Sequence, residues 1–169
     1  MDIGLLILRA VIGGTFAAHG LQKLAGWFGG SGLSATTTMM ERIGFVPGRR
    51  AALLAGLGET GGGLFLAVGL LTPGASAVLV GVMVVAAATR HFSKGFFLKD
   101  GGFEYNLVLA SGALSLAFTG PGSLSIDEVL GLSRNGALWG AAALMAGIAG
   151  GAVQLATRRH GSGPEEGRT

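Results

Sequence analysis

Apolar positions run along this chain in long blocks, not in the alternating pattern of half-buried strands. Five such blocks stand out: residues 3–24, 51–71, a third reaching about 89, 103–119 and 136–156. Each is close to the ~20 residues that a helix needs to cross a bilayer, and together they take up most of the chain. The expectation is an all-α, polytopic membrane helical bundle. Thr72, Pro73 and Gly74 fall between the second and third blocks and predict a short turn, because Pro cannot continue the preceding helix. Gly120-Pro121-Gly122 stops the fourth block. Ser125-Ile126-Asp127-Glu128 then predicts a surface-lying helix start, with an N-cap and an acidic first turn.

Polar residues between the blocks set an orientation. With five spans, one side carries Lys23, Arg42, Arg49, Arg50, Arg90, Lys94, Lys99, Arg158, Arg159 and Arg168, whereas the other has only Arg134, with Arg9 just inside the first span. The positive-inside rule puts the C-terminus in the cytoplasm and the N-terminus outside, in a cell inner membrane. The first block lacks a basic leader and a small-residue cleavage site, so it reads as a retained helix.

Composition agrees. Half of the 169 residues are hydrophobic and 12% are charged, about half the soluble average. The 33 glycines are interleaved with Leu, Val, Ala and Phe, as in helices whose backbones pack closely. The formal charge of +3 comes from clusters between apolar blocks, which argues for topology and against nucleic acid. With no cysteine, the chain has no disulfide, thiolate or iron-sulfur chemistry of its own, and any thiol chemistry belongs to a partner. No metal site or covalent cofactor is evident.

Candidate chemistry rests on ionisable residues inside the apolar blocks. At 100° per residue Arg9, Gly13, Phe16, Gly20 and Lys23 share one stripe, with His19 at its edge; Glu59 shares its face with Ala52, Ala55, Gly56, Gly62 and Gly63. A charge in the membrane is costly unless paired, so Arg9 and Glu59 are expected partners, either as a bundle-locking ion pair or as part of a working site. Their depths differ, about 9 Å and about 18 Å from the outer helix ends, so the pair depends on Arg reach and helix stagger. His19 can serve as proton carrier or quinone donor, or simply be hydrogen-bonded. Glu104 either caps the fourth helix or joins Lys23, Arg90 and His91 in a polar cluster on the basic side. Gly58/Gly62, Gly136/Gly140 and Gly147/Gly151 argue for helix contact, within or between subunits.

Arg9-x-x-x-Gly13-x-x-Phe16-x-x-His19-Gly20-x-x-Lys23-Leu24, followed by Glu59-x-Gly61-Gly62 and Gly69-Leu70-Leu71-Thr72-Pro73, resembles the DoxX family. Gly102-Phe103-Glu104-Tyr105 and Gly120-Pro121-Gly122 carry the likeness into the fourth helix. The resemblance implies a four-helix membrane core over residues 1–122, followed here by an interfacial loop or short helix at 123–135, a fifth transmembrane helix at 136–158 and a disordered cytoplasmic tail at 159–169. It also implies a membrane subunit of a quinone-linked redox or oxidative and thiol-stress system. Glu59 and His19 are then the catalytic candidates, and Arg9, His19, Lys23, Glu59 and Glu104 the residues placed around a quinone headgroup. The partners to expect are membrane lipids, quinone, soluble redox enzymes and a second copy of the chain. Two other classes remain open: a proton-coupled small-solute transporter that titrates Glu59, and a noncatalytic scaffold holding redox enzymes through its basic loops.

Overall fold

The computed structural model describes residues 2–159; of the tail expected at 159–169, Arg159 is described and hydrogen-bonded to Gly44, and residues 160–169 lie outside the described residues. Every regular element among them is helical: α1 (Asp2–Ala25), α2 (Gly32–Arg42), α3 (Gly48–Val68), α4 (Thr72–Ala86), α5 (Glu104–Thr119), α6 (Ile126–Val129) and α7 (Ala137–Ala156). Four stretches are long and apolar enough to cross a membrane: Asp2–Ala25, Gly48–Val68, Thr72–Lys94 and Ala137–Ala156. The 16 residues of α5 rise about 24 Å, less than a full hydrocarbon thickness. α5 nevertheless runs the height of the bundle, from Tyr105 beside His19 on α1 to Gly120, whose neighbour Pro121 bonds Arg9 near the other end of α1.

α1 and α3 dock backbone to backbone, because the glycines face one another. A Cβ on Gly13 would come within 2.4 Å of the Gly63 carbonyl, and one on Gly20 within 2.6 Å of the Gly56 carbonyl. Without side chains to hold the axes apart, backbone dispersion contacts form along the whole seam. The same device joins α4 to α7: Gly147 and Gly151 sit against Val80, Val84 and the Ala77 carbonyl, so this glycine pair serves a contact within the subunit. Gly140 seats the ring of Phe118, and Gly58 lies against Val78 and Val82. Phe16, Leu66, Leu79, Ala113 and Leu116, all fully buried, fill the middle of the bundle.

Two expectations are corrected here, and one element is added. Thr72-Pro73-Gly74 is not the turn between α3 and α4 but the first turn of α4, where Pro lacks only an amide that would be unpaired anyway. The turn is Gly69–Leu71; Gly69 closes α3 with φ 67°, and its amide and that of Leu70 return to the Leu66 and Phe65 carbonyls. α2 is an element the apolar pattern did not announce: only Thr36 and Met40 of it are buried, and Met40 packs with Phe45, Ala51 and Ala52. Ser125 does cap α6, accepting from the Glu128 amide at 3.2 Å, but α6 is not a purely surface helix, since Asp127 is fully buried.

Asp127 holds the α3–α4 turn. Its carboxylate accepts from the amides of Leu71 and Thr72 at 2.7 and 2.9 Å and from the Thr72 hydroxyl at 2.8 Å. Its own amide donates to the Gly69 carbonyl at 2.8 Å. Beside it, Arg9 is 1% exposed and donates to the carbonyls of Pro121 at 2.8 Å and Leu124 at 2.5 Å. This end of the bundle is therefore tied across α1, the α3–α4 turn and the loop after α5. At the other end the Arg159 amide donates to the Gly44 carbonyl at 2.8 Å, and the Arg158 Nε to that of Ile43 at 2.8 Å. The segment entering α3 and the end of α7 thus share the end that carries the basic residues.

Candidate functional site

The direction in which helical side chains lean decides which charges meet. Cβ atoms tilt toward a helix's own N-terminus. Lys23 on α1 therefore leans into the bundle, away from the basic end, while Glu59 on the antiparallel α3 leans back toward that end. They converge: Lys23 Nζ donates to Glu59 Oε2 at 2.5 Å, with Glu59 3% exposed and the Lys23 side chain 27% exposed. Lys23 also donates to the His19 carbonyl one turn earlier, at 3.4 Å. The pair is long and flexible on one side and short and sequestered on the other, so the ammonium stays in touch with the interface while it neutralises the carboxylate.

His19 completes the cluster from the same turn. Its Nδ1 lies 3.0 Å from Gln22 Oε1 and its Nε2 3.2 Å from the Tyr105 hydroxyl, with the two rings edge to face at 5.9 Å. Gln22 donates in turn to the Phe28 carbonyl at 3.1 Å. Nδ1 facing an amide oxygen makes it the donor, and the tautomer this favours leaves Nε2 to accept from Tyr105. Below them, Thr36 on α2 donates to the Lys23 carbonyl at 3.2 Å, which fixes the last turn of α1.

These groups open onto a cavity of about 720 Å³ between α1, α2, α3, α4, α5 and α7. Its walls are mostly apolar, with Phe16, Met40, Met83 and Leu109 among them, and its polar side chains include His19, Lys23, Glu59, Tyr105 and Asn106. Asn106 is buried and donates to the Met83 sulfur at 3.4 Å, a weak partner for a strong donor. A second, more polar hollow of about 360 Å³, lined by Gln22, Lys23, Gly29, Gly30, Ser31, Thr36, Met39 and Arg90, adjoins it on the basic side.

Of the residues singled out in the sequence, the structure brings together His19, Lys23 and Glu59. Arg9 does not join them, and the expected Arg9–Glu59 pair does not form. Arg9 leans toward the N-terminus of α1 and is spent on the Pro121 and Leu124 carbonyls near Asp127. Glu104 is also placed elsewhere: its carboxylate accepts from the Leu98 amide at 2.9 Å and pins the loop before α5. His91 lines the cavity, with its Nδ1 2.7 Å from the Gly101 carbonyl. The sequence reading missed Tyr105 and Asn106 as site residues. The available signal was a lone tyrosine and an asparagine one turn into an apolar helix, where a polar side chain needs a partner inside the bundle.

The comparisons agree with this architecture. The DoxX family model matches residues 4–92, which cover α1 to α4. The inner membrane protein YqjF of Escherichia coli strain K12 is 34% identical over 129 residues, 76% of this chain and 93% of the relative. A Bacillus subtilis strain 168 protein named "Putative oxidoreductase CatD" is 32% identical over 126 residues, 75% of this chain and 86% of the relative. No solved structure matches the chain significantly. With the family model spanning more than half of the sequence and these relatives matched over most of their length, this multi-pass membrane chain belongs to the DoxX family.

Proposed function

We propose that this protein is the membrane subunit of a quinone-linked redox system and that its cavity takes a quinone headgroup beside His19, Lys23 and Glu59. The observation that carries the reading is the Lys23–Glu59 pair, set with His19 and Tyr105 at the edge of a mostly apolar space of about 720 Å³. Ligand sites of small organic molecules have this size and this mix of apolar wall and a few convergent polar groups. The residues fit the group: a flat ring suits walls of Met83, Leu109 and Phe16, and its carbonyl oxygens need donors, which Lys23 and Asn106 supply. A bound quinone would supply two-electron, two-proton acceptor chemistry. The chain's own part is to hold and orient the headgroup, to keep a proton at the Glu59 carboxylate or the His19 imidazole, and to exclude bulk water. Electrons come from a partner, since this chain has no cysteine and no evident centre of its own. The oxidoreductase name of the Bacillus relative favours the redox reading over a scaffold.

Orientation is part of the proposal. The cavity reaches Lys23 and Arg90, where it adjoins the smaller polar hollow, on the end that also carries Arg42, Arg49, Arg50 and Arg158 and that the positive-inside rule assigns to the cytoplasm. The test is purification in mild detergent, extraction of bound lipids and titration of the protein with a short-chain quinone. The expected result is co-purifying quinone and saturable binding that Lys23→Met weakens at least tenfold. No extracted quinone together with no saturable binding refutes the reading.

A further inference from the structure

We propose that Glu59 communicates with water from one face of the membrane only, through a cationic vestibule formed by Gln22, Ser31 and Arg90, with Lys23 standing at its inner door. The two hollows of about 720 and 360 Å³ have Lys23, Met39 and Arg90 in common, so they meet at the Lys23 side chain. The smaller one is walled by Gln22, Gly29, Gly30, Ser31 and Thr36, a polar lining that holds water, whereas the larger is mostly apolar. Exposure falls along this line from Arg90, which is exposed, through Lys23 at 27% to Glu59 at 3%.

The opposite direction is shut. Phe16 bounds the cavity, and beyond it Leu66, Leu79, Ala113 and Leu116 are fully buried. In the same layer the Ser76 hydroxyl is spent on the Ala113 carbonyl at 2.7 Å. Past that layer lie the buried Arg9 and the Asp127 network, whose carboxylate oxygens are taken by the α3–α4 turn. The charged group beside Glu59 is Lys23, from α1, and the imidazole of His19 lies one turn earlier; both are on its basic side. An apolar plug on one side and a cationic, water-holding mouth on the other make a dead-end half-channel. Protons and small anions reach Glu59 from the basic side, and the described residues leave no through-path for a solute past the apolar plug.

The inference rests on Glu59 being the working carboxylate of the cavity, as proposed above, but it does not need the ligand to be a quinone. The absence of native cysteines makes it testable by labelling without background. Single variants Ala55→Cys and Glu59→Cys, with Lys94→Cys and Ser123→Cys reporting the two faces, are placed in sealed right-side-out and inverted vesicles and treated with the impermeant anion 2-sulfonatoethyl methanethiosulfonate. Ala55 lines the cavity one turn from Glu59, and its mild substitution keeps the test valid if Glu59→Cys does not fold. Both cavity positions should react at least tenfold faster from the face that labels Lys94→Cys. Adding Arg90→Glu should slow them about tenfold, the lower range of electrostatic steering. Equal rates from both faces, faster reaction from the Ser123 face, no reaction from either face, or indifference to Arg90→Glu overturns the one-sided vestibule. Quinone binding is read in a separate titration, so failure of one does not imply failure of the other.

Discussion

Removing one partner of the Lys23–Glu59 pair should cost unequal amounts depending on which is removed. Lys23→Met leaves a carboxylate 3% exposed with no cation beside it, and breaking a buried pair in this way costs about 3–5 kcal/mol. The lysine side chain is 27% exposed, so solvent already screens part of the attraction, and about 2–3 kcal/mol is the better expectation. Glu59→Gln removes the charge at the buried side instead. Lys23 lies in the last turn of α1 and can swing its ammonium to the interface, which leaves a neutral amide and a cost of about 1 kcal/mol. The double variant should then lie close to Glu59→Gln alone, with a coupling energy of about 2–3 kcal/mol. Reversible unfolding of the four proteins in mixed detergent micelles measures the cycle. Equal single costs would refute the asymmetry, and costs that add within ~0.3 kcal/mol would show that the two groups do not depend on one another.

At the opposite end, Asp127→Ala strips three donors, two of them buried, of their acceptor and should destabilise by about 3 kcal/mol, whereas Asp127→Asn, which keeps one acceptor oxygen, should cost roughly half of that; a melting series decides. Gly13→Ala forces a methyl to 2.4 Å from the Gly63 carbonyl and should separate α1 from α3, with loss of folded protein on gel filtration. Gly14→Ala, with nothing within 4 Å, should be neutral or stabilise by up to ~1 kcal/mol, and equal behaviour of the two would contradict the glycine seam. Because Glu104 bonds only the loop before α5, Glu104→Gln should leave short-chain quinone affinity within about twofold, measured in the titration where Lys23→Met loses tenfold.

The helices themselves were legible because long apolar blocks have few alternatives to spanning helices. Their ends were less so. At Thr72-Pro73-Gly74 the same residues suit both a turn and a first helical turn, and the decision falls to Gly69 and to the Asp127 carboxylate, which grips the Leu71 and Thr72 amides from more than fifty residues away. No local pattern carries that contact. α2 stayed hidden because it is short and buries only Thr36 and Met40, too few positions to show a period.

The site shows where a one-dimensional reading stops. Helical periodicity placed Arg9 and Lys23 on one stripe of α1, and the cost of an unpaired charge in the membrane pointed to Arg9 as the partner of Glu59. The mismatch in depth between Arg9 and Glu59 did not exclude that pair, since depth measured from the helix ends assumes that α1 and α3 start level. The glycine contacts remove that assumption: Gly13 against Gly63 and Gly20 against Gly56 put Glu59 level with Ala17, about 12 Å of helix rise from Arg9 and about 9 Å from Lys23. Side-chain lean then widens the first gap and closes the second, because Arg9 tilts away from Glu59 while Lys23 and Glu59 tilt toward each other. Partner choice at this carboxylate is therefore set by the register of a seam whose closest contacts are made by glycines. A shift of that seam by one helical turn, as a bulky residue at Gly20 would impose, should cost Glu59 its lysine before it unfolds the bundle. Loss of quinone binding in a Gly20→Ala protein that remains helical and monodisperse would demonstrate that order of events, and retained binding would refute it.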